Sequence, residues 1–188
     1  VVTGRFLNRD ESTAKDVWVE LGAGLGIPLL IAPSVLLLAP RLLESVLPDS
    51  AGLLGHWSPW LMFGVLLVVD DLTQYWWHRL SHSSPFLFAF HRAHHSGRYM
   101  SVRVVYRNSL IYYAFMPGLW LSAMLIHLGF GPAYVAYIVA KLTVIISAHS
   151  SVPWDEPFWN NPWTRPLMFA VACVISTPRT HSAHHGRH

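Results

Sequence analysis

Long apolar segments with almost no charge are the feature that most constrains how this chain can fold. Residues 21–38 contain no charged side chain, and a helix of about 20 apolar residues crosses the roughly 30 Å hydrocarbon core of a bilayer. Three further apolar segments of similar length lie at residues 57–77, 109–128 and 133–148. The sequence therefore predicts an all-α integral membrane protein with about four transmembrane helices, in which residues 1–188 form a single membrane domain.

Glycine and proline residues interrupt these segments. Gly129, Gly131 and Pro132 separate the third apolar segment from the fourth, which predicts a tight hairpin between two helices. Pro28 and Pro33 lie inside the first segment, where proline removes a backbone hydrogen bond and kinks a helix. We therefore expect a bent first span and a close pairing of the last two.

The composition excludes several other classes of protein. Of the 188 residues, 53% are hydrophobic and 12% are charged, which differs from an ordinary water-soluble domain. The formal net charge is +3, without a block of like charges, so the sequence does not indicate nucleic-acid binding. The single cysteine, Cys173, allows neither an internal disulfide nor a cysteine-based zinc site.

Basic residues are distributed unevenly when the four spans are threaded alternately through a membrane. One side carries Arg5, Arg9, Lys15, Arg79, Arg92, Arg98, Arg103, Arg107, Arg165, Arg179 and Arg187. The other side carries Arg41. By the positive-inside rule, the arginine-rich side, which includes residues 78–107 and 149–188, is predicted to be cytoplasmic. A shorter apolar run at 166–175 is expected to lie at the interface.

Histidines follow the same division, although the four-span prediction did not use them. Three clusters with the spacings H-x-x-x-H, H-x-x-H-H and H-x-x-H-H, with a lone histidine between the second and third, lie on the arginine-rich side. They comprise His78, His82, His91, His94, His95, His149, His181, His184 and His185. His188 follows on that side, whereas His56 and His127 lie on the other. Residues three or four apart share one face of a helix, so each cluster can present several imidazoles together.

This donor set indicates metal binding. Neutral imidazole suits iron, zinc or copper and disfavours magnesium or calcium, and nine or ten ligands exceed what one ion takes, so two metal ions with about four to five imidazoles each are expected. Iron would permit O₂ activation, whereas redox-inert zinc would imply hydrolysis or a structural role. A non-enzymatic metal transporter or sensor is a further alternative, although few polar groups line the spans.

The order and spacing of these motifs resemble a known family. The stretches Asp71-Leu-Thr-Gln-Tyr-Trp-Trp-His78-Arg-Leu-Ser-His82 and Thr177-Pro-Arg-Thr-His181-Ser-Ala-His184-His185 are similar to those of the fatty acid hydroxylase and sterol desaturase superfamily. The resemblance implies an integral membrane, non-haem di-iron enzyme that uses O₂ to hydroxylate or desaturate a lipid such as a sterol or a fatty acyl chain. It also implies that the nine clustered histidines hold two iron ions, with zinc as a possible substitute. Ser151 departs from the asparagine that is common there.

Partners follow from the same interpretation. A lipid substrate would arrive from the bilayer. Because the chain shows no flavin or haem attachment pattern, electrons would come from a separate donor, a reductase with a ferredoxin or a small cytochrome. Arg92, Arg98 and Arg103 are candidate docking charges for that donor on the cytoplasmic face.

Charged and polar residues near the clusters complete the predicted site. Asp71 and Tyr75 share a helical stripe with His78, and we expect them to support metal ligands through hydrogen bonds. Asp70 and Lys141 each lie eight residues before a clustered histidine, so an ion pair between them is expected.

Overall fold

The computed structural model describes residues 12–97 and 99–185. These residues form helices joined by short connections, and no strand occurs among them. The all-α prediction is therefore confirmed. The α-helices, in chain order, are α1 (Ala14–Gly26), α2 (Ala32–Val46), α3 (Pro59–Ser83), α4 (Pro85–His95), α5 (Leu110–Ala114), α6 (Pro117–Leu125), α7 (Gly131–Ala148), α8 (Glu156–Asn160), α9 (Arg165–Ala172) and α10 (Pro178–His185).

The first apolar segment lies inside a longer helical stretch than the sequence predicts. Thr13 begins α1 with a capping box, in which the Thr13 side chain and the Asp16 carboxylate each accept a hydrogen bond from the other residue's backbone N–H. A π-helical turn at Ile27–Ile31 then joins α1 to α2. Proline therefore changes the helix type here without ending the helix, and the stretch Ala14–Val46 is continuous.

The predicted hairpin forms at Gly129. Its φ of +116° lies in the region that favours glycine, and a Cβ at this position would lie 2.7 Å from the Gly55 backbone. The loop before α3 binds this turn through a hydrogen bond of 2.8 Å from the Leu54 N–H to the Leu128 carbonyl. The chain reverses here, and α6 and α7 both pack against α3.

The third predicted span, 109–128, is not one helix. It is divided into α5 and α6 by a break before Pro117, and a π-helical turn (Ile126–Phe130) follows α6. By length and composition alone, two helical stretches are long and apolar enough to cross a membrane, Ala14–Val46 and Pro117–Ala148. The second consists of α6 and α7, which are separated by the turn at Gly129.

Large apolar side chains cover the outside of these helices. Trp60, Leu29 and Val135 are among the most exposed. Inside, an apolar cluster between α3 and α7 includes Leu66 and Phe130, both fully buried. An outward apolar surface of this extent is typical of a protein that is solvated by lipid.

The helices converge at one end of the molecule. The C-terminal ends of α3 and α7 meet α4 and α10 there, and these four elements carry the histidine clusters. His127 lies at the opposite end of α7, where its ring is 3.2 Å from the Ser50 hydroxyl. His56 is exposed in the loop before α3. The structure thus separates these two histidines from the clusters, as predicted.

Candidate metal centre

Four segments of the chain bring nine histidines together, and helical periodicity aims each set of rings at one point. Helix α3 provides the first pair, α4 provides the triplet, the C-cap of α7 provides His149, and α10 provides the last triplet. All nine are buried or partly buried. The structure therefore assembles residues that are more than 100 positions apart in the sequence.

Eight of these histidines form two groups of four. In each group the candidate ligand nitrogens lie within 4.8 Å of one another. The first group consists of His78, His82, His95 and His184. The second group consists of His94, His149, His181 and His185. Each group draws its members from three different segments, so neither can form from a local stretch of sequence.

The two groups adjoin each other. The rings of His95 and His185, one from each group, are stacked with centroids 4.5 Å apart. His91 lies beside the first group, with its Nε2 3.1 Å from His95 Nε2, and its ring stacks against Tyr112. The arrangement is a pair of neighbouring imidazole cages with a ninth imidazole at the side of the first.

The geometry of the cages fits metal ions. Nε2 atoms face each other at 2.9 Å in the pair His78–His184 and at 2.9 Å in the pair His149–His181. Two nitrogens bound to one ion at 2.0–2.1 Å lie about 3.3 Å apart in tetrahedral geometry. The spacing is therefore close to that of ligands around a shared ion, and the donors are the neutral nitrogens that iron and zinc accept.

The protonation state of these rings suits the same role. Burial lowers the pKa of His91 and of His181 to about 2, and neighbouring histidines act in the same direction. Burial, with His185 and His149 nearby, lowers the pKa of His94 well below its ordinary value of 6.5. These three imidazoles are thus neutral near pH 7, which is the form that binds a metal.

A backbone contact sets the tautomer of His149. Its Nδ1 lies 2.8 Å from the Ile145 carbonyl, and because a carbonyl only accepts, Nδ1 carries the hydrogen. The Nε2 lone pair then points into the second group. Contacts of this kind orient metal-binding histidines in proteins.

Asp155 orients α10, and the sequence analysis did not identify it. This fully buried carboxylate accepts hydrogen bonds at Oδ2 from the Arg179 backbone N–H, at 3.1 Å, and from Trp159 Nε1, at 3.2 Å. The first of these contacts holds the beginning of the helix that carries three of the nine histidines. The sequence does show a carboxylate six residues after the lone histidine, His149, and this spacing could have indicated Asp155.

Arg107 orients α4. Its Nε donates to the Ala93 carbonyl at 3.0 Å and its Nη2 to the Ser96 hydroxyl at 2.9 Å, and it forms an ion pair with Asp16 of α1. A cation at the C-terminal end of a helix satisfies free carbonyls there and interacts favourably with the helix dipole.

The predicted supporting role of Asp71 and Tyr75 is not seen in the geometry. Both side chains are exposed on α3, and the Tyr75 hydroxyl accepts a hydrogen bond from Arg79 at 2.8 Å. They share a stripe with His78 as predicted, but both lie on its exposed part. Within the described residues neither side chain is hydrogen-bonded to a histidine.

Two other predictions have different outcomes. The Asp70–Lys141 ion pair is present, and Tyr137 also donates a hydrogen bond to Asp70. Arg103, in contrast, is bound to Glu20 at 2.7 Å and is not a free docking charge. Arg92 is exposed, while Arg98 and His188, together with the other residues outside 12–97 and 99–185, are not described.

More than half of the chain matches the model of one known family. The model of the fatty acid hydroxylase family matches residues 63–188, which include all nine histidines. The chain belongs to the fatty acid hydroxylase family. This agrees with the resemblance seen in the motifs, and the two apolar helical stretches suit an integral membrane protein.

Known relatives of this fatty acid hydroxylase domain are longer proteins. It is 28% identical to the alkylglycerol monooxygenase of Danio rerio over 135 residues, which is 70% of this chain and 25% of that protein. It is also 28% identical to the alkylglycerol monooxygenase of Homo sapiens over 141 residues, 69% of this chain and 26% of that protein. The chain thus spans about a quarter of the length of these relatives. No solved structure matches it.

Proposed function

We propose that this protein is an O₂-dependent, non-haem di-iron monooxygenase of membrane lipids. The observation that carries the proposal is the pair of adjoining four-histidine groups at one end of a helical bundle with an apolar exterior. Membership of the fatty acid hydroxylase family supports the same chemistry.

In this proposal each group holds one metal. His78, His82, His95 and His184 would bind the first ion, and His94, His149, His181 and His185 would bind the second. His91 would complete the first site from the side, where its Nε2 lies near His95. Bound iron would supply the ability to activate O₂, which zinc lacks because it does not change oxidation state.

The protein's own residues position these ligands. The Ile145 carbonyl keeps the hydrogen of His149 on Nδ1, while Asp155 holds the start of α10 and Arg107 holds the end of α4. Burial lowers the pKa of six of the nine histidines and so favours their neutral form. The ligands are therefore in the required protonation state and direction before a metal binds, which reduces the cost of ordering them.

The membrane arrangement is part of the same proposal. Four spans near 21–38, 57–77, 109–128 and 133–148 would place the histidines at the cytoplasmic face, since the flanking arginines follow the positive-inside rule. The exposed apolar side chains of α3 and α7 support contact with lipid on these spans.

The substrate would be a lipid, and ether lipids of glycerol are the first to test because the matched relatives are named alkylglycerol monooxygenases. Electrons would come from a separate reductase with a ferredoxin or a small cytochrome. Arg92, exposed on α4 between His91 and His94, is an accessible candidate docking charge.

Metal content per chain tests the proposal. The protein is purified without a histidine tag from iron-supplemented cells and analysed for iron, zinc and copper. About two irons per chain, with conversion of lipid that depends on O₂ and reductant, are expected. If the protein holds two zinc ions, and replacing them with iron gives no oxygenase activity, a hydrolase is favoured. An intact chain that binds no stoichiometric metal would overturn the proposal.

A further inference from the structure

The apolar run at residues 166–175 contains no histidine, and the structure leaves one side of it exposed. It forms α9 and the turn that follows, in which helical backbone hydrogen bonds continue as far as Ile175. Leu167, Ala170 and Val174 are three or four residues apart and therefore share one helical face. All three are exposed, so this face is an apolar stripe on the outside of the molecule.

Trp163 extends the stripe by one turn before α9. Its side chain is 89% exposed, compared with 64% for Leu167 and 73% for Val174. Contiguous apolar side chains at such exposure mark a binding surface, and tryptophan is enriched where a membrane meets water. Trp163, Leu167, Ala170 and Val174 are together called the α9 stripe.

The loop before α8 joins this region to the outer side of α7. Val139 and Leu142 are exposed apolar residues of that helix, which is a proposed span. Trp154 is exposed as well, and its Nε1 donates to the Ser147 carbonyl in the last turn of α7 at 3.2 Å. Phe158 of α8 is the next exposed apolar residue. The apolar exterior of the span therefore continues into the segment that leads to α9.

The charges around the stripe suit a bilayer surface. Arg165 and Arg179 are exposed before and after it, and the sequence contains no carboxylate side chain after Glu156. Basic side chains beside an apolar helix face are attracted to the anionic lipids of the cytoplasmic leaflet. The run at residues 166–175 is also too short to cross the hydrocarbon core.

We propose that the α9 stripe is a membrane-binding surface, which lies in the interface of the bilayer on the arginine-rich side of the protein. Two contacts link it to the histidine centre. Phe169 of α9 packs edge-on against Trp159, with ring centroids 5.2 Å apart, and the Arg179 guanidinium of α10 lies 5.1 Å from the same ring. The surface thus anchors the helix that carries the last three clustered histidines. The inference rests on the proposed membrane arrangement and not on the chemistry of the metals.

Depth-dependent fluorescence quenching tests the inference. Because Cys173 is the only cysteine, Cys173→Ser removes it, and Val174→Cys in that background carries a single NBD label on the stripe. The protein is placed in nanodiscs of phosphatidylcholine and phosphatidylglycerol, with a nitroxide lipid labelled either near the glycerol or near the end of the acyl chain. We expect the shallow nitroxide to quench this label at least twofold more strongly than the deep one. Aqueous iodide should quench it at least threefold less than a label at Lys15→Cys, which is exposed before the first span.

A charge on the stripe should detach it from the bilayer. Leu167→Asp should reduce quenching of the position-174 label by the shallow nitroxide at least threefold, because anionic lipid repels the carboxylate. The matched control is Asn160→Asp, which adds the same charge to an exposed position of α8 outside the stripe and should leave the quenching unchanged. Equal metal content and circular dichroism in both variants exclude misfolding as the cause.

A label at Leu29→Cys, in the first span, separates this inference from the membrane arrangement, since strong quenching there by the deep nitroxide shows that the protein is inserted. In that protein, three results at position 174 overturn the inference. Iodide quenching equal to that at position 15 places the stripe in water, and protection from both iodide and lipid places it under another protein surface. Stronger quenching by the deep nitroxide places it in the hydrocarbon core. Preferential shallow quenching supports the inference even if the proposed oxygen chemistry fails.

Discussion

Asp70 of α3 and Lys141 of α7 form a largely buried ion pair, and each precedes a candidate metal-ligating histidine at the end of its helix by eight residues. Eight residues rise about 12 Å along a helix, so the pair joins the two helices at equal distance from His78 and His149. A Cβ on Gly118 of α6 would approach Asp70 Oδ1 to 2.7 Å, so this glycine lets a third helix close over the pair.

Breaking this pair should strongly destabilise the protein. Lys141→Met leaves a buried carboxylate and is expected to cost about 3–5 kcal/mol in the free energy of unfolding. Asp70→Asn leaves the partly buried Lys141 ammonium without its partner and should cost less. Denaturant unfolding in detergent measures it. Glu44→Gln is the control, because its contact with His127 is half exposed and should be worth at most about 1 kcal/mol. Equal effects for Asp70→Asn and Glu44→Gln would contradict the prediction.

Single histidine substitutions should remove metal. His184→Ala deletes a member of the first group and His94→Ala deletes a member of the second, so each variant should lose at least one metal per chain and its activity. His127→Ala, at the opposite end of α7, should keep the wild-type metal content. Elemental analysis decides this, and full metal retention in the first two variants would disprove the ligand assignment.

Loss of the Asp155 carboxylate should disturb α10. Asp155→Ala removes the acceptor for the Arg179 N–H and the Trp159 indole, and leaving these donors unsatisfied costs about 1–3 kcal/mol each. Asp155→Asn keeps one oxygen acceptor and should be milder. Metal content and thermal unfolding are measured together, and identical behaviour of the alanine variant and the wild type would show that Asp155 does not orient the helix.

The metal-free protein should lose stability in acid. Burial lowers the pKa of His91 and His181 to about 2 in the folded chain, whereas the ordinary value is 6.5. Below pH 6.5 the unfolded chain therefore takes up protons that the folded chain does not, and stability falls by up to about 1.4 kcal/mol per pH unit for each histidine. Above pH 6.5 both states are neutral and this contribution is constant.

Unfolding of the chelator-treated protein between pH 8 and pH 5 measures this slope. His91→Phe retains a ring against Tyr112 and should reduce the slope of stability against pH by about the contribution of one histidine. A slope that His91→Phe leaves unchanged would rule out the assigned cause.

Local spacing predicted much of the site, because helical periodicity alone sets which histidines share a face. It also predicted the Asp70–Lys141 pair. Both residues lie eight positions before a clustered histidine, and on two helices that run in the same direction they are therefore at the same height along the bundle. The same periodicity failed for Tyr75, because a shared stripe does not reveal where the covering helices end. Asp155 and Arg107 could not be assigned either, since their partners lie on segments whose packing the sequence does not specify.

The wide separation of the histidines along the chain affects how the centre is made. His78 and His184 are 106 positions apart, and a ribosome that adds about 5–20 residues per second needs roughly 5 to 20 seconds to make the intervening chain. Throughout that interval the early histidines lack their partners from α10. In the proposed two-metal centre, metal insertion into complete cages would therefore be a late step of biosynthesis, which follows synthesis of α10.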